Sequence, residues 1–215
     1  MNLFIDIETL PALHWTPEER IAHARRKVPA NYSKPESIEK WVAENADEEW
    51  RKTALDWRYG SILCIGYAID DGGVEVISAD ENTMLDDLRD AIRATGTRDS
   101  GYLIWIGHNI LRFDLRWLMY TALRLNHPLA ALIPFAKWDR RAVDTAALWS
   151  GPDPSGPAKL ADIAEYLGIG AKGEGLDGSK VYDAWLAGEH ERIARYCAQD
   201  VELTRAVYRR ITGGD

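Results

Sequence analysis

The sequence predicts an α/β domain in which a mixed sheet is flanked by helices, with a helical insertion after the first strand. The apolar run LFIDI at 3–7 predicts a buried first strand. SILCIGYAI at 61–69, the turn residues DDGG and the run VEVIS together predict a hairpin. Strand and helix patterns alternate after this hairpin, and that order indicates a sheet with strands of both directions.

The segment 12–60 predicts the insertion. Pro11 ends the first strand, and the residues after it are rich in helix formers, with apolar side chains at helical spacing around Trp41 and Trp50. A domain typically holds about 100–200 residues. We therefore expect residues 1–215 to form a single domain that contains this insertion.

The rest of the chain predicts further elements from local patterns. In chain order these are a helix at 81–94, a strand at 102–108, helices at 111–125 and 160–168, and one or two helices at 183–211. AVDTAALW at 142–149 fits either a short strand or the start of a helix, and the pattern does not separate the two.

Composition excludes several classes of protein. Hydrophobic residues make up 46% and charged residues 28% of the chain, which excludes a disordered, collagenous or fibrous protein. No window approaches the roughly 18 consecutive apolar residues of a membrane span. The amino terminus carries acids where a signal peptide carries basic charge, and the two cysteines form no CxxC. We therefore expect a cytoplasmic protein that does not contact a membrane.

Charge is unevenly spread along a chain whose net charge is −8. Residues 70–100 hold nine acids and three bases, a net charge of −6. Residues 111–143 hold two acids and six bases, a net charge of +4; the bases are Arg112, Arg116, Arg124, Lys137, Arg140 and Arg141. This stretch, with Lys172 in the Gly-rich loop further on, predicts a path for phosphates, although solvated charge on helix faces gives the same pattern.

Two acids stand in the first predicted strand. Asp6 and Glu8 are two residues apart, so their side chains point to the same face of the sheet. Neighbouring carboxylates repel each other, and one takes up a proton unless a cation neutralises the pair. An edge strand with a solvated polar face shows the same D-x-E pattern.

Two further segments place acids where they could converge on the first pair. Asp114 stands near the start of a helix, where the helix dipole alone would favour it, and His108-Asn109 follows a buried strand. Tyr196 and Asp200 are four residues apart and share a helix face, as a surface pair also would. Four converging carboxylates are tolerable only around divalent cations, and oxygen ligands suit Mg²⁺ or Mn²⁺.

These motifs resemble a known family. IDIET, GHN-x4-D and Y-x3-D are similar to the three motifs of the DEDD superfamily of 3′–5′ exonucleases, which have a ribonuclease H-like fold. Within that superfamily, the chain most resembles the predicted exonucleases related to the proofreading domain of family B DNA polymerases. The histidine branch has a His five residues before the last Asp; that position is Arg195 here, and Tyr196 matches the tyrosine branch.

The resemblance implies roles for individual residues. Asp6, Glu8, Asp114 and Asp200 would bind two Mg²⁺ or Mn²⁺ ions, and Tyr196 would lie beside the attacking water. The implied substrate-binding residues are Thr9 and Leu10 at the 3′ end and Asn109 and Phe113 at the terminal nucleotide, to which the charge pattern adds Lys172.

The expected function is a metal-dependent 3′–5′ exonuclease that releases nucleoside 5′-monophosphates, with DNA favoured over RNA. The expected partner is a nucleic acid with a free 3′ end in single-stranded form, and a polymerase or repair protein of unknown identity is a further expected partner. Two alternatives stay open: an exoribonuclease, and a module of the same fold that binds nucleic acid without cleaving it. Discrimination between DNA and RNA depends on the 2′-hydroxyl, and no residue in the sequence reports it.

Overall fold

A computed structural model describes residues 1–96, 103–136, 139–151, 158–170 and 176–214. Its strands are β1 (Asn2–Leu10), β2 (Ser61–Ile69), β3 (Glu75–Ile77), β4 (Ile104–Gly107) and β5 (Ala142–Asp144). Its α-helices are α1 (Pro17–Arg25), α2 (Pro35–Arg51), α3 (Glu81–Ala94), α4 (Asp114–Arg124), α5 (Thr145–Ser150), α6 (Leu160–Leu167), α7 (Val181–Leu186) and α8 (His190–Thr212). No helix in these described ranges is long and apolar enough to span a membrane.

The five strands form one sheet in the order β3-β2-β1-β4-β5. β4 runs parallel to β1 and to β5, whereas β2 and β3 are antiparallel. The predicted hairpin and the predicted mixture of strand directions are therefore confirmed. The ambiguous segment 142–149 contains both alternatives, because β5 passes directly into α5.

The chain divides into two compact units, one made of residues 1–8 and 62–215 and the other of residues 9–61. The first unit contains most of the sheet and helices α3 to α8. Helix α8 packs on the sheet through Val201, which joins Phe4, Ala68 and Ile106 in one buried cluster. The sheet therefore fixes the position of α8, the helix that carries Tyr196 and Asp200.

The second unit contains α1 and α2, so helices follow β1 as the sequence predicts. Helix α1 begins with a complete capping box, in which Thr16 and Glu19 each accept a hydrogen bond from the other's backbone N–H. The indole of Trp50, the last buried residue of α2, donates to the carbonyl of Ala12 at 2.8 Å. Trp50 is 1% exposed, and this hydrogen bond satisfies its only polar side-chain atom inside the core of the unit.

Candidate active site

Strand β1 places two carboxylates on one face of the sheet. Ile5 and Ile7 are buried on the other face, and the alternation of side chains along a strand puts Asp6 and Glu8 together. Glu8 is only 8% exposed. A carboxylate with so little access to water requires a compensating charge or hydrogen bonds.

Helix α8 brings Tyr196 and Asp200 to the same strand. Cys197 on this helix is fully buried, and its thiol donates to the backbone carbonyl of Asp6 at 3.7 Å. A Cβ atom on Gly66 of β2 would lie 2.7 Å from the Cys197 sulfur, so only glycine permits this close approach of helix and sheet. The packing of α8 against β1 and β2 thereby sets the position of Asp200 relative to Asp6.

Asp6, Glu8 and Asp200 form a cluster of carboxylates. Each offers one oxygen, and these oxygens all lie within 4.8 Å of one another. Three carboxylates this close repel one another strongly, and a divalent cation removes that repulsion. The donor set consists of oxygen atoms alone, which fits Mg²⁺ or Mn²⁺. The structure thus brings together three of the four acids that the sequence predicts to converge.

Tyr196 lies beside this cluster. Burial raises the pKa of its phenol far above the usual range, and the negative charges of Asp200, Glu8 and Asp6 raise it further. A hydrogen bond to Asp200 also favours the protonated phenol. Tyr196 is therefore a hydrogen-bond donor at neutral pH and not a base.

Asp114, the first residue of α4, is 2% exposed and joins α4 to β1. Its Oδ1 accepts a hydrogen bond of 3.1 Å from the backbone N–H of Ile7, the residue between Asp6 and Glu8. Among the described residues, the cluster within 4.8 Å does not include Asp114. The hydrogen bond to Ile7 nevertheless places Asp114 next to the strand that carries two of the clustered acids.

Burial raises the pKa of Asp114 to about 7, and the charges of Asp144 and Asp200 add to the increase. The backbone N–H groups of Asp114 and Ile7 oppose it. The ordinary pKa of an Asp carboxyl is 3.8. Between about pH 4 and pH 7 the Asp114 carboxyl is therefore protonated in the folded metal-free protein and ionised in the unfolded protein. This preferential protonation stabilises the folded state at low pH, and the stabilisation is lost as the pH rises towards 7.

Asp114→Asn is therefore expected to stabilise the metal-free protein at pH 8, because an amide oxygen still accepts the Ile7 N–H without a buried charge. The gain in the free energy of unfolding should be on the order of a few kcal/mol, since one pKa unit corresponds to about 1.4 kcal/mol. Urea unfolding of variant and wild type in chelator, from pH 4 to pH 8, measures it. The difference between the two proteins should grow up to about pH 7; a difference independent of pH would contradict the assignment.

Asp144 is a functional candidate that the sequence analysis missed. This buried last residue of β5 accepts hydrogen bonds from the backbone N–H groups of Asn109 at 2.9 Å and Leu111 at 3.3 Å. The same carboxylate caps α5 through the N–H groups of Ala146 and Ala147. The signal was an Asp directly before a Thr-Ala-Ala helix start. Asp144 therefore holds the turn that leads to Asp114.

Asn109 and Phe113, the expected contacts of the terminal nucleotide, lie in that turn. Asn109 has a φ of 61°, a left-handed conformation that Asn adopts more readily than most residues. Its carbonyl accepts from the N–H of Phe113 at 3.1 Å. The Phe113 ring is half-buried and packs against Trp117 with ring centroids 6.1 Å apart. Their roles in substrate binding stay predictions.

The other expected substrate-binding residues do not lie within the first unit's described residues. Thr9 and Leu10 belong to the second unit and are buried there. The Thr9 hydroxyl donates to the carbonyl of Ala54 at 2.5 Å, so its proton is engaged within that unit. Lys172 lies outside the described residues. These three roles also stay predictions.

Among the residues that the structure describes, two of the six bases in the stretch 111–143 form ion pairs with acids. Arg124 pairs with Glu81, and Arg141 pairs with Asp139. Lys137 lies outside the described residues. The remaining cations are exposed and have no ion-pair partner within the described ranges: Arg112, Arg116 and Arg140.

Comparisons with known proteins found a matching family model and a solved structure with a similar fold. A family model described as a predicted 3′–5′ exonuclease related to the exonuclease domain of PolB matches residues 99–213. The fold is similar to that of the family B DNA polymerase from the hyperthermophilic archaeon Pyrobaculum calidifontis, with a TM-score of 0.64 and 19% identity. That likeness covers 98% of this chain but only 24% of the polymerase chain. No curated protein matches the chain. The predicted mixed α/β fold flanked by helices is confirmed.

Proposed function

Because the chain belongs to the family of predicted 3′–5′ exonucleases related to the exonuclease domain of PolB, we propose that it hydrolyses nucleic acid from the 3′ end with two divalent cations. Membership makes the chain an enzyme of the 3′–5′ exonuclease class, as the sequence predicts. The products are nucleoside 5′-monophosphates, and DNA is the favoured substrate. The observation that carries the proposal is the cluster of Asp6, Glu8 and Asp200 with oxygens within 4.8 Å.

The four carboxylates hold the cations in this proposal. Asp6, Glu8 and Asp200 supply oxygens from one strand face and one helix, and Asp114 supplies a fourth carboxylate from the start of α4. Cations held there would supply positive charge for activation of the attacking water and for stabilisation of the leaving 3′ oxygen. The raised pKa of Asp114 in the metal-free protein means that cation binding releases a proton near neutral pH.

Tyr196 orients the attacking water by a hydrogen bond. The phenol keeps its proton because it is buried beside Asp200, Glu8 and Asp6. It can therefore position water without removing a proton from it. Arg195 has a side chain that is 67% exposed and pairs with Glu191 at 3.6 Å, away from this arrangement. These contacts support assignment to the tyrosine branch.

The test is incubation of the protein with Mn²⁺ and single-stranded DNA or RNA of the same sequence. A 5′ label should give a ladder that shortens from the 3′ end, and a 3′ label should give a mononucleotide as the first product. A 3′-phosphate on the same strand is the control for direction and should slow degradation. Binding without degradation of either polymer would favour the non-catalytic alternative, and degradation of RNA alone would favour the exoribonuclease.

Arg112 and Arg116 are expected to contact the phosphates of the strand, because both are exposed, lack an ion pair among the described residues and flank Asp114. Replacing both with Gln should reduce the log–log salt slope of oligonucleotide binding by about 0.7 for each phosphate that the variant no longer neutralises. Fluorescence anisotropy between about 50 and 200 mM salt measures the slope. Arg124→Gln is the control, since Arg124 pairs with Glu81. An unchanged slope in the double variant would show that Arg112 and Arg116 do not contact the phosphates of the strand.

A further inference from the structure

The second unit carries a basic segment that the proposed chemistry does not use. The unit as a whole, residues 9–61, has nine bases and nine acids. Between positions 20 and 34, however, the chain has five bases and no acid: Arg20, Arg25, Arg26, Lys27 and Lys34. Positive charge is therefore concentrated in one stretch of the chain, within a unit whose net charge is zero.

Most of these cations have no ion-pair partner among the residues that the structure describes. Within that part of the chain, which includes all of the second unit, only Arg25 of the five forms an ion pair, with Glu39. Lys27 lies close enough to Asp56 to lower the pKa of that carboxyl, but Arg58 holds both Asp56 oxygens at 2.8 and 2.6 Å. We define the basic surface as the four others: Arg20, Arg26, Lys27 and Lys34.

The side chain of Arg20 is fixed by its contacts within the second unit. It lies in the first turn of α1, where the helix dipole disfavours a cation. Its guanidinium stacks on the Trp50 ring at 3.5 Å, and its Nε is buried with no hydrogen-bond partner in the described chain. Stacking fixes the guanidinium and reduces the side-chain entropy that would be lost on binding. No acid among the described residues pairs with Arg20, so its charge is available to a phosphate.

Two cations of the basic surface, Arg26 and Lys27, lie close enough to His23 to act on its charge. His23 is 5% exposed and packs between Trp15 and Tyr59. Burial lowers the pKa of His23, and the charges of Lys27 and Arg26 lower it further, against the opposing effect of nearby acids. His23 is therefore neutral at pH 7, and the positive charge beside it comes from Arg26 and Lys27.

We propose that the basic surface of the second unit binds the phosphates of a nucleic-acid strand, an inference that rests on the proposed function for the identity of the polyanion. Helix C-terminal dipole effects account for cations near the end of α1 but not for Arg20 or Lys34. Tyr32 stands between Lys27 and Lys34 in the chain, is 36% exposed and is supported by an edge contact with Trp41. Aromatic side chains among phosphate-binding cations are typical of surfaces for single strands.

The test compares two triple variants with the same change of net charge. Arg26→Gln, Lys27→Gln and Lys34→Gln remove three cations of the basic surface. The control, Lys40→Gln, Arg51→Gln and Lys52→Gln, removes three cations that pair with acids on α2. Binding of a fluorescent single-stranded oligonucleotide is measured in chelator as a function of salt. The log–log slope of the first triple variant should fall by about 0.7 per phosphate that it no longer neutralises, about 2 in all, and the control should keep the wild-type slope.

Equal slopes for the two triple variants would overturn the inference. Loss of binding to anionic phospholipid vesicles with an unchanged oligonucleotide slope would assign the surface to a membrane and overturn it too. Hydrolysis of a nitrophenyl ester of a nucleoside 5′-monophosphate in Mn²⁺ reports the carboxylate cluster separately, because this small ester has no neighbouring phosphates. If the wild-type protein cleaves neither the ester nor the oligonucleotide, the proposed function is contradicted. A reduced salt slope in the first triple variant would, in that case, still support phosphate binding by the basic surface.

Discussion

Asp6→Ala is expected to abolish exonuclease activity while the protein stays folded. Asp6 supplies one of three oxygens that lie within 4.8 Å of one another, so the substitution removes a ligand that the other two cannot replace. It also removes a negative charge beside Glu8 and Asp200, and the metal-free protein should be as stable as the wild type or more stable. Turnover of a 3′-labelled oligonucleotide in Mn²⁺ and thermal unfolding in chelator measure the two effects.

Asp90→Ala is the matched control for this prediction, because Asp90 is a surface acid that pairs with Arg89. It should retain wild-type turnover. Excess chelator should reproduce the loss of activity in the wild-type protein, since it removes the same cations by another route. Wild-type turnover by Asp6→Ala, or activity that persists in excess chelator, would contradict the proposed metal site.

Cation binding gives a second measure of the same substitution. A ligand that binds only the folded state raises stability by an amount that grows with the logarithm of its concentration. Mn²⁺ should therefore raise the unfolding temperature of the wild type but have a much smaller effect on Asp6→Ala. Asp90→Ala should respond as the wild type does. This readout does not depend on catalysis, so it separates the absence of a metal site from a misplaced substrate.

The carboxylate cluster could be predicted because local rules determine most of it. Strand periodicity places Asp6 and Glu8 on one face, and helix periodicity places Tyr196 and Asp200 on one face. The convergence of these pairs is a long-range property, and here the prediction came from the resemblance of the three motifs to a family. The structure then supplies the physical cause, which is the close packing of Cys197 against β1 and Gly66.

Other features could not be read from local patterns. Asp144 ends β5 and also caps α5, so its segment carries signals of both element types at once. Its hydrogen bond with Asn109 joins residues 35 positions apart, and no periodicity reports such a distance. The burial of Asp114, which raises its pKa, depends on the packing of α4 on β1 in the same way.

Tyr196→Phe is expected to lower kcat by about 100-fold while KM stays nearly unchanged. Contributions of proton-transfer groups run to about 10²–10⁴-fold, and a group that only orients water belongs at the low end. The hydrogen bond that the variant lacks acts in the transition state, so substrate affinity should hold. Steady-state kinetics on a single-stranded oligonucleotide in Mn²⁺ separate the two constants.

The pH profile of Tyr196→Phe tests whether the phenol orients water or acts as a base. Burial and three neighbouring carboxylates keep the phenol protonated, so the variant should show a lower pH profile of unchanged shape.

Tyr208→Phe is the control on the same helix, where the ring packs edge-on against Phe4 in the core; it should turn over at the wild-type rate. Asp200→Asn should differ from Tyr196→Phe by impairing stabilisation by Mn²⁺ itself. If Tyr196→Phe cleaves at the wild-type rate, the tyrosine only packs beside Cys197, and water must be oriented by another group, although the carboxylate cluster could still bind the cations.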